Sequence, residues 1–141
     1  MRLDEKEARK KKEYLRGYEK TVRRMERSKL RLQEVQMSRI CPAIIKDGMP
    51  HAHTPSDLSS YAVVLNRAEE ELQESEIRCA EKYKEIRDRI EELEDENEKK
   101  VLTYRYLALL KWIDIREKMG YSRQHVYRVH ERALKNFKDV T

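Results

Sequence analysis

Leu58, Leu65, Leu72, Cys79, Ile86 and Leu93 recur every seven residues without a slip. Tyr61, Ala68 and Ser75 accompany the earlier positions at +3, and Tyr83 and Ile90 accompany the later ones at +4. A repeat of seven sustained over this length excludes a strand, whose side chains alternate with a period of two. It calls for a helix with one apolar seam facing a partner helix in a left-handed supercoil. The spacing predicts a helix over about 57–96, a rod on the order of 60 Å at 1.5 Å per residue.

The rest of the chain suits the same architecture. Charged residues make up 42% and hydrophobic ones 38%, with three glycines and three prolines in 141 residues. So much Glu, Lys and Arg with so few breakers favours long helices, whose narrow seams need little apolar material. The fold class expected is all-α. A first helical segment is read over about 4–40, with Leu15, Tyr18, Val22, Met25 and Leu32 as its stripe. Its opening, RLDEKEARKKKEYL, holds almost no apolar residue, so the first ten or so residues are expected to fray. All three prolines (Pro42, Pro50, Pro55) and Gly48 then fall in one stretch, which a helix cannot cross. A turn is expected at about 41–56, with DGMP at its centre and Thr54 or Ser56 capping the next helix.

Charge is distributed in blocks. Residues 1–40 carry 14 basic and 7 acidic side chains, residues 41–100 carry 9 and 16, and residues 101–141 carry 9 and 4. The first two blocks cancel, so the net charge of +5 resides in the third. Segments of opposite charge joined by a turn predict a long antiparallel hairpin over 1–97, coiled-coil-like, with the seam driving the pairing and the charges selecting it. The same seam can alternatively build an intermolecular coiled coil, and hence a homodimer.

The basic block, taken as a separate module over 98–141, reads as a helix-turn-helix. VLTYRYLALLKW is expected to be helical, with Tyr104, Tyr106 and Trp112 in the core. Trp112, Ile115 and Met119 share one face of a next helix. Gly120 stands where that helix would end, and glycine takes a left-handed conformation without a Cβ penalty. Ser122 can cap a last helix, whose inner face is Val126, Val129, Ala133, Leu134 and Phe137. Outward stand Arg123, Gln124, His125, Tyr127, Arg128 and Arg132, and His130 is read as surface or phosphate-facing. Arg can donate bidentately to guanine and Gln to adenine, while basic groups neutralise phosphate. A basic module of this kind is the footprint of a nucleic-acid binder. The alternative is a plain helical hairpin with a charged outer face.

EKKVLTYRY, WIDIREKMGYS and RQHVYRVHERALKNF together resemble region 4 of bacterial sigma factors. The layout, with Asp47-Gly48-Met49-Pro50 and Asp57-Leu58-Ser59 ahead of that end, resembles phage and prophage transcriptional regulators of the late-gene activator kind. The resemblance implies a sequence-specific DNA-binding transcription regulator with double-stranded DNA and RNA polymerase as partners. It implies that Arg123, Gln124, Tyr127 and Arg128 face base edges. Arg105, Lys111, Ser122, His125 and Arg132 would then lie near phosphates. Arg116 departs from the small residue usual between the helices, and Tyr127 from a common Arg. Nothing corresponds to the part of a sigma factor that opens the −10 element, so a stand-alone sigma factor is not expected.

The competing class is a coiled-coil interaction protein or a phage packaging and assembly component. No glycine-rich phosphate loop or nucleophile motif is present, so no enzyme and no cofactor is expected. His51 and His53 with Cys41 and Asp47 do not assemble four zinc ligands, so no metal is expected. Cys41 and Cys79 lack CxxC spacing and are read as reduced thiols, with an interhelical disulfide as the lesser alternative. No 18-residue apolar run or signal-peptide pattern occurs, and the expected location is cytoplasmic, without a membrane.

Overall fold

The computed structural model describes residues 4–40 and 55–138. The expected 41–56 turn, its prolines Pro42 and Pro50, Gly48, the Thr54 cap, and Cys41, Asp47, His51 and His53 lie outside the described residues, as do the side chains of Pro55, Ser56 and Asp57. The described residues are helical with short connections and contain no strand, so the chain is all-α. No helix among them is long and apolar enough to cross a membrane.

Helix α1, Glu5–Leu15, starts within the stretch expected to fray. Asp4 caps it by accepting from the Lys6 N–H at 3.4 Å, and Glu5 and Glu7 sit favourably against the dipole in its first turn. A one-residue break at Arg16 leads into α2, Gly17–Ile40. A Cβ at Gly17 would lie 2.6 Å from Lys82 Cε, the far end of a flexible side chain that can swing aside. Helix α3 runs Pro55–Glu91 and opens on proline, which is tolerated at a first helical position because its missing N–H has no partner to lose.

Helix α3 stops short of the expected 96. Asp95 accepts from the N–H groups of Asn97 (2.8 Å) and Glu98 (3.3 Å) and starts a separate helix α4, Glu96–Leu102. The expected straight helix through VLTYRYLALLKW also gives way. Thr103–Leu107 widen into a π-helical turn, and Leu109 takes a left-handed φ of 58°. A bond from Leu110 N–H back six residues to Tyr104 C=O at 2.9 Å closes this ending, with leucine at the left-handed position that glycine ordinarily takes. Helices α5 (Trp112–Met119) and α6 (Arg123–Asn136) follow.

By compactness the chain divides into Met1–Thr21 with Ala80–Thr141, and Val22–Cys79. These units differ from the expected division at 97/98. In the first unit, Leu15, Ile86, Ile90, Leu93, Leu102, Tyr106, Leu107, Leu134 and Phe137 share one core, which therefore draws on α1 and the end of α3. Each fully buried aliphatic or aromatic contributes about 1.5–3 kcal/mol. Lys11 is also buried, and its Nζ donates to the carbonyls of Leu134 (2.8 Å) and Lys135 (3.4 Å) at the end of α6. A cation on these free carbonyls is favourable by both hydrogen bonding and helix dipole. A second cluster joins Val101, Ile115, Val126 and Val129, with Tyr104, Trp112 and Met119 half-buried against it.

In the second unit, Val35, Ala68, Ser75 and Cys79 are buried. Ser28 and Ser75 share a hydroxyl–hydroxyl bond of 3.1 Å, and the Arg39 guanidinium lies 5.4 Å from the Tyr61 ring. The numbering rises in one partner as it falls in the other, so these contacts run in antiparallel order. Cys79 is a free, buried thiol.

Candidate nucleic-acid interface

Helix α5 ends at Gly120, whose φ of 68° is the left-handed conformation expected of it. Its N–H and that of Tyr121 (3.1 Å) both reach the Arg116 carbonyl. Ser122 then accepts from the His125 N–H at 3.1 Å and starts α6. Three residues thus turn the chain from one helix into the next, each with a defined conformational or capping task. Arg116 itself is half-buried, and its Nε has no hydrogen-bond partner among the described residues.

The buried side of α6 is Val126, Val129, His130, Ala133, Leu134 and Phe137. Within its first two turns, Arg123, Gln124, Tyr127 and Arg128 are all exposed and form one ridge. Among the described residues neither Arg123 nor Arg128 forms an ion pair, and the first turn of α6 contains no acid. The Arg123 guanidinium lies 5.7 Å from the Tyr127 ring. Tyr127 also meets Trp112 edge-on, with centroids 5.2 Å apart. The ridge therefore has a supported aromatic at its centre and uncommitted guanidinium groups around it.

The residues expected near phosphates are placed less uniformly. Lys111 is exposed just ahead of α5, and His125 is exposed with its ring 4.3 Å from that of Tyr121. Ser122 commits its hydroxyl to the cap. Arg105 is half-buried, donates to the Leu110 carbonyl at 3.1 Å, and lies 4.8 Å from the Trp112 ring. Arg132 is exposed but engaged: its Nε binds Glu98 at 2.9 Å and its Nη2 lies 3.4 Å from Asp95. Glu98 is almost fully buried and also accepts from Asn136 Nδ2 at 2.9 Å. A buried carboxylate requires such partners, and Arg132 supplies one while about half of its side chain stays exposed.

His130 corrects the expectation that it faces the surface. It is buried, and its Nε2 and the Tyr106 hydroxyl are 2.8 Å apart. It follows Val126 by four residues and precedes Leu134 by four, which puts it on the inner stripe. Burial, reinforced by the positive charges of Lys12, Arg105 and Arg16, lowers its pKa to about 4. Burial likewise raises the Tyr106 hydroxyl to about 12. The pair is neutral near pH 7 and acts as an internal strut. Sequence reasoning also missed the reach of Trp112, whose ring lies 4.8 Å from that of His130. Its helical spacing to Ile115 predicted core packing but gave no sign of contact with the exposed ridge.

The fold and this ridge define an all-helical protein ending in a compact module with a basic, acid-poor outer face. A family model described as "Protein of unknown function (DUF1492)" matches residues 51–138, more than half of the chain, and the protein belongs to that family. No curated protein and no solved structure matches. The matched residues cover α3 to α6, while α1 and α2 precede them.

Proposed function

We propose that this protein is a sequence-specific, double-stranded-DNA-binding transcription regulator of phage or prophage type. Helices α5 and α6 act as its helix-turn-helix, and Arg123, Gln124, Tyr127 and Arg128 read base edges. The exposed ridge at the start of α6 carries this reading. It presents bidentate donors without competing acids, on a helix whose other face is locked into a core. The first turns of a second helix are where such units ordinarily meet the major groove. Lys111 and His125 supply phosphate contacts beside it. Helices α2 and α3 form the helical hairpin, and the exposed Leu30, Met37, Val63 and Val64 offer apolar surface for a homodimer. Pairing would serve repeated half-sites. The resemblance to sigma region 4 makes RNA polymerase the candidate protein partner.

Selection from random duplexes by the full-length chain tests the proposal. A preferred sequence should emerge, and its affinity should fall steeply with salt as phosphate contacts release counterions. On that sequence Arg128→Ala should cost about 1–3 kcal/mol. Indifference to both salt and Arg128→Ala sinks the DNA reading. The failure of any sequence to enrich, in a chain that still self-associates, would favour the interaction or assembly class.

A further inference from the structure

We propose that α1 supplies a second DNA-backbone contact, in which Lys12 and Arg16, with Arg105, form a phosphate-binding ridge beyond the reading ridge of α6. The inference rests on the DNA-reading proposal and extends that surface to the N-terminal helix.

Helix α1 is anchored on α6. Lys11 holds the Leu134 and Lys135 carbonyls, the Tyr14 and Phe137 rings have centroids 6.1 Å apart, and Leu15 is fully buried in the same core. Lys11 and Leu15 are one helical turn apart and point inward. Lys12 and Arg16 follow them by one position each, so they stand about 100° around, on an adjoining flank. Arg16 is exposed and Lys12 half-exposed, and neither forms an ion pair among the described residues. Of the acids of α1, Glu13 is engaged by Lys20, and Glu5, in phase with Lys12, lies two turns away in the first turn of the helix. Arg9, also exposed, precedes Lys12 by three residues and continues the ridge.

The position of this flank follows from helical phase. Leu134 lies seven residues beyond Tyr127, about 20° short of two full turns and roughly 10 Å along the axis. Leu134, in phase with Tyr127, is buried in the core to which α1 contributes Leu15. Lys12, Arg16 and Arg105 all act electrostatically on His130, which lies between Tyr127 and Leu134. Arg16 and Arg105 also act on Tyr106, the hydrogen-bond partner of His130. A major groove is about 12 Å wide and walled by phosphates. Basic side chains that flank the base-reading residues would meet that wall rather than the bases.

The test uses the full chain and the duplex that the unaltered protein prefers. Each phosphate contact contributes about 0.9 to the slope of log affinity against log salt. K12Q/R16Q should reduce that slope by about 2, with affinity falling at low salt and the ratio of preferred to scrambled sequence unchanged. K12R/R16K, which keeps both charges, should behave like the unaltered chain. Arg128→Ala should do the converse of K12Q/R16Q and erode sequence preference. If K12Q/R16Q keeps the original slope and affinity while Arg128→Ala loses preference, the α1 ridge is wrong and the DNA reading stands. If K12R/R16K loses as much as K12Q/R16Q, the residues act through packing and the ridge is wrong. If the unaltered chain prefers no duplex at any salt, both proposals fall.

Discussion

One heptad repeat runs through two regions of this molecule and has a different outcome in each. Within Ala80–Thr141, its positions Ile86 and Leu93 are 0% and 6% exposed and join a core built with Leu15, Leu102, Leu134 and Phe137. Within Val22–Cys79, Leu58 remains 48% exposed, Leu65 and Leu72 are half-buried, and Cys79 is the first position to close. The pattern is the same, but the number of covering elements differs. A seam against one helix shields a narrow stripe, whereas α1, α4 and α6 enclose the later positions in the first unit. Periodicity therefore identifies the face that packs, and the count of neighbours sets how much that packing contributes.

The sharpest way to break this contrast is a pair of truncations. Phe137→Ala removes a ring from the enclosed core and should cost about 3–5 kcal/mol, while Leu65→Ala, in a half-open seam, should cost less than about 2 kcal/mol. Denaturant midpoints of the two variants decide it, and equal losses would show that the open seam is as demanding as the core.

Acidification should act on the first unit through His130. Its unfolded imidazole titrates near 6.5 and its folded one near 4, because burial and the adjacent cations disfavour the charged form. Between those values the unfolded chain binds more protons, so stability is complete above about pH 6.5 and is lost as pH falls towards 4. The loss is on the order of 3 kcal/mol. Stability measured against pH for the unaltered chain and for His130→Gln isolates this contribution from that of the carboxylates. Identical pH profiles would remove His130 from the account.

The smallest expected effect lies at the turn. Ser122→Ala deletes the cap on α6 and should cost about 1 kcal/mol. The loss should appear as earlier amide exchange in residues 123–126, with the Val22–Cys79 unit unaffected. Uniform loss across both units would mean that they unfold as one.

Much of the framework was legible before any coordinates. The heptads, the left-handed Gly120, the Ser122 cap and the apolar face of α6 all follow from local rules. Other features were hidden for physical reasons. Helix α1 docks through Lys11 on backbone carbonyls, and a polar anchor leaves no hydrophobic periodicity to find. Leu109 takes a left-handed φ without the glycine that ordinarily announces it, so the stop after the π-helical turn carried no signal. Asp95 did carry one, since an Asp followed three residues later by Glu98 marks a helix start. It was masked by the surrounding run of acids, which reads as a solvated face. His130 was misplaced because its polarity outweighed its phase, although its spacing from Val126 and Leu134 gave the inner position. The outward ridge Arg123, Gln124, Tyr127 and Arg128 was legible as a set, but the recruitment of Arg132 by Glu98 depends on contacts that no local pattern encodes.

Trp112 is the only tryptophan in the chain, and it touches Tyr127 on the outer ridge, His130 in the interior and Arg105 in the π-helical turn. The protein thus carries an optical probe at the junction of its three most informative side chains. An event that shifts Tyr127, protonates His130 or lifts Arg105 acts on the same fluorophore, so ligand engagement, interior ionisation and movement of the π-helical turn can be followed by intrinsic emission without adding a label.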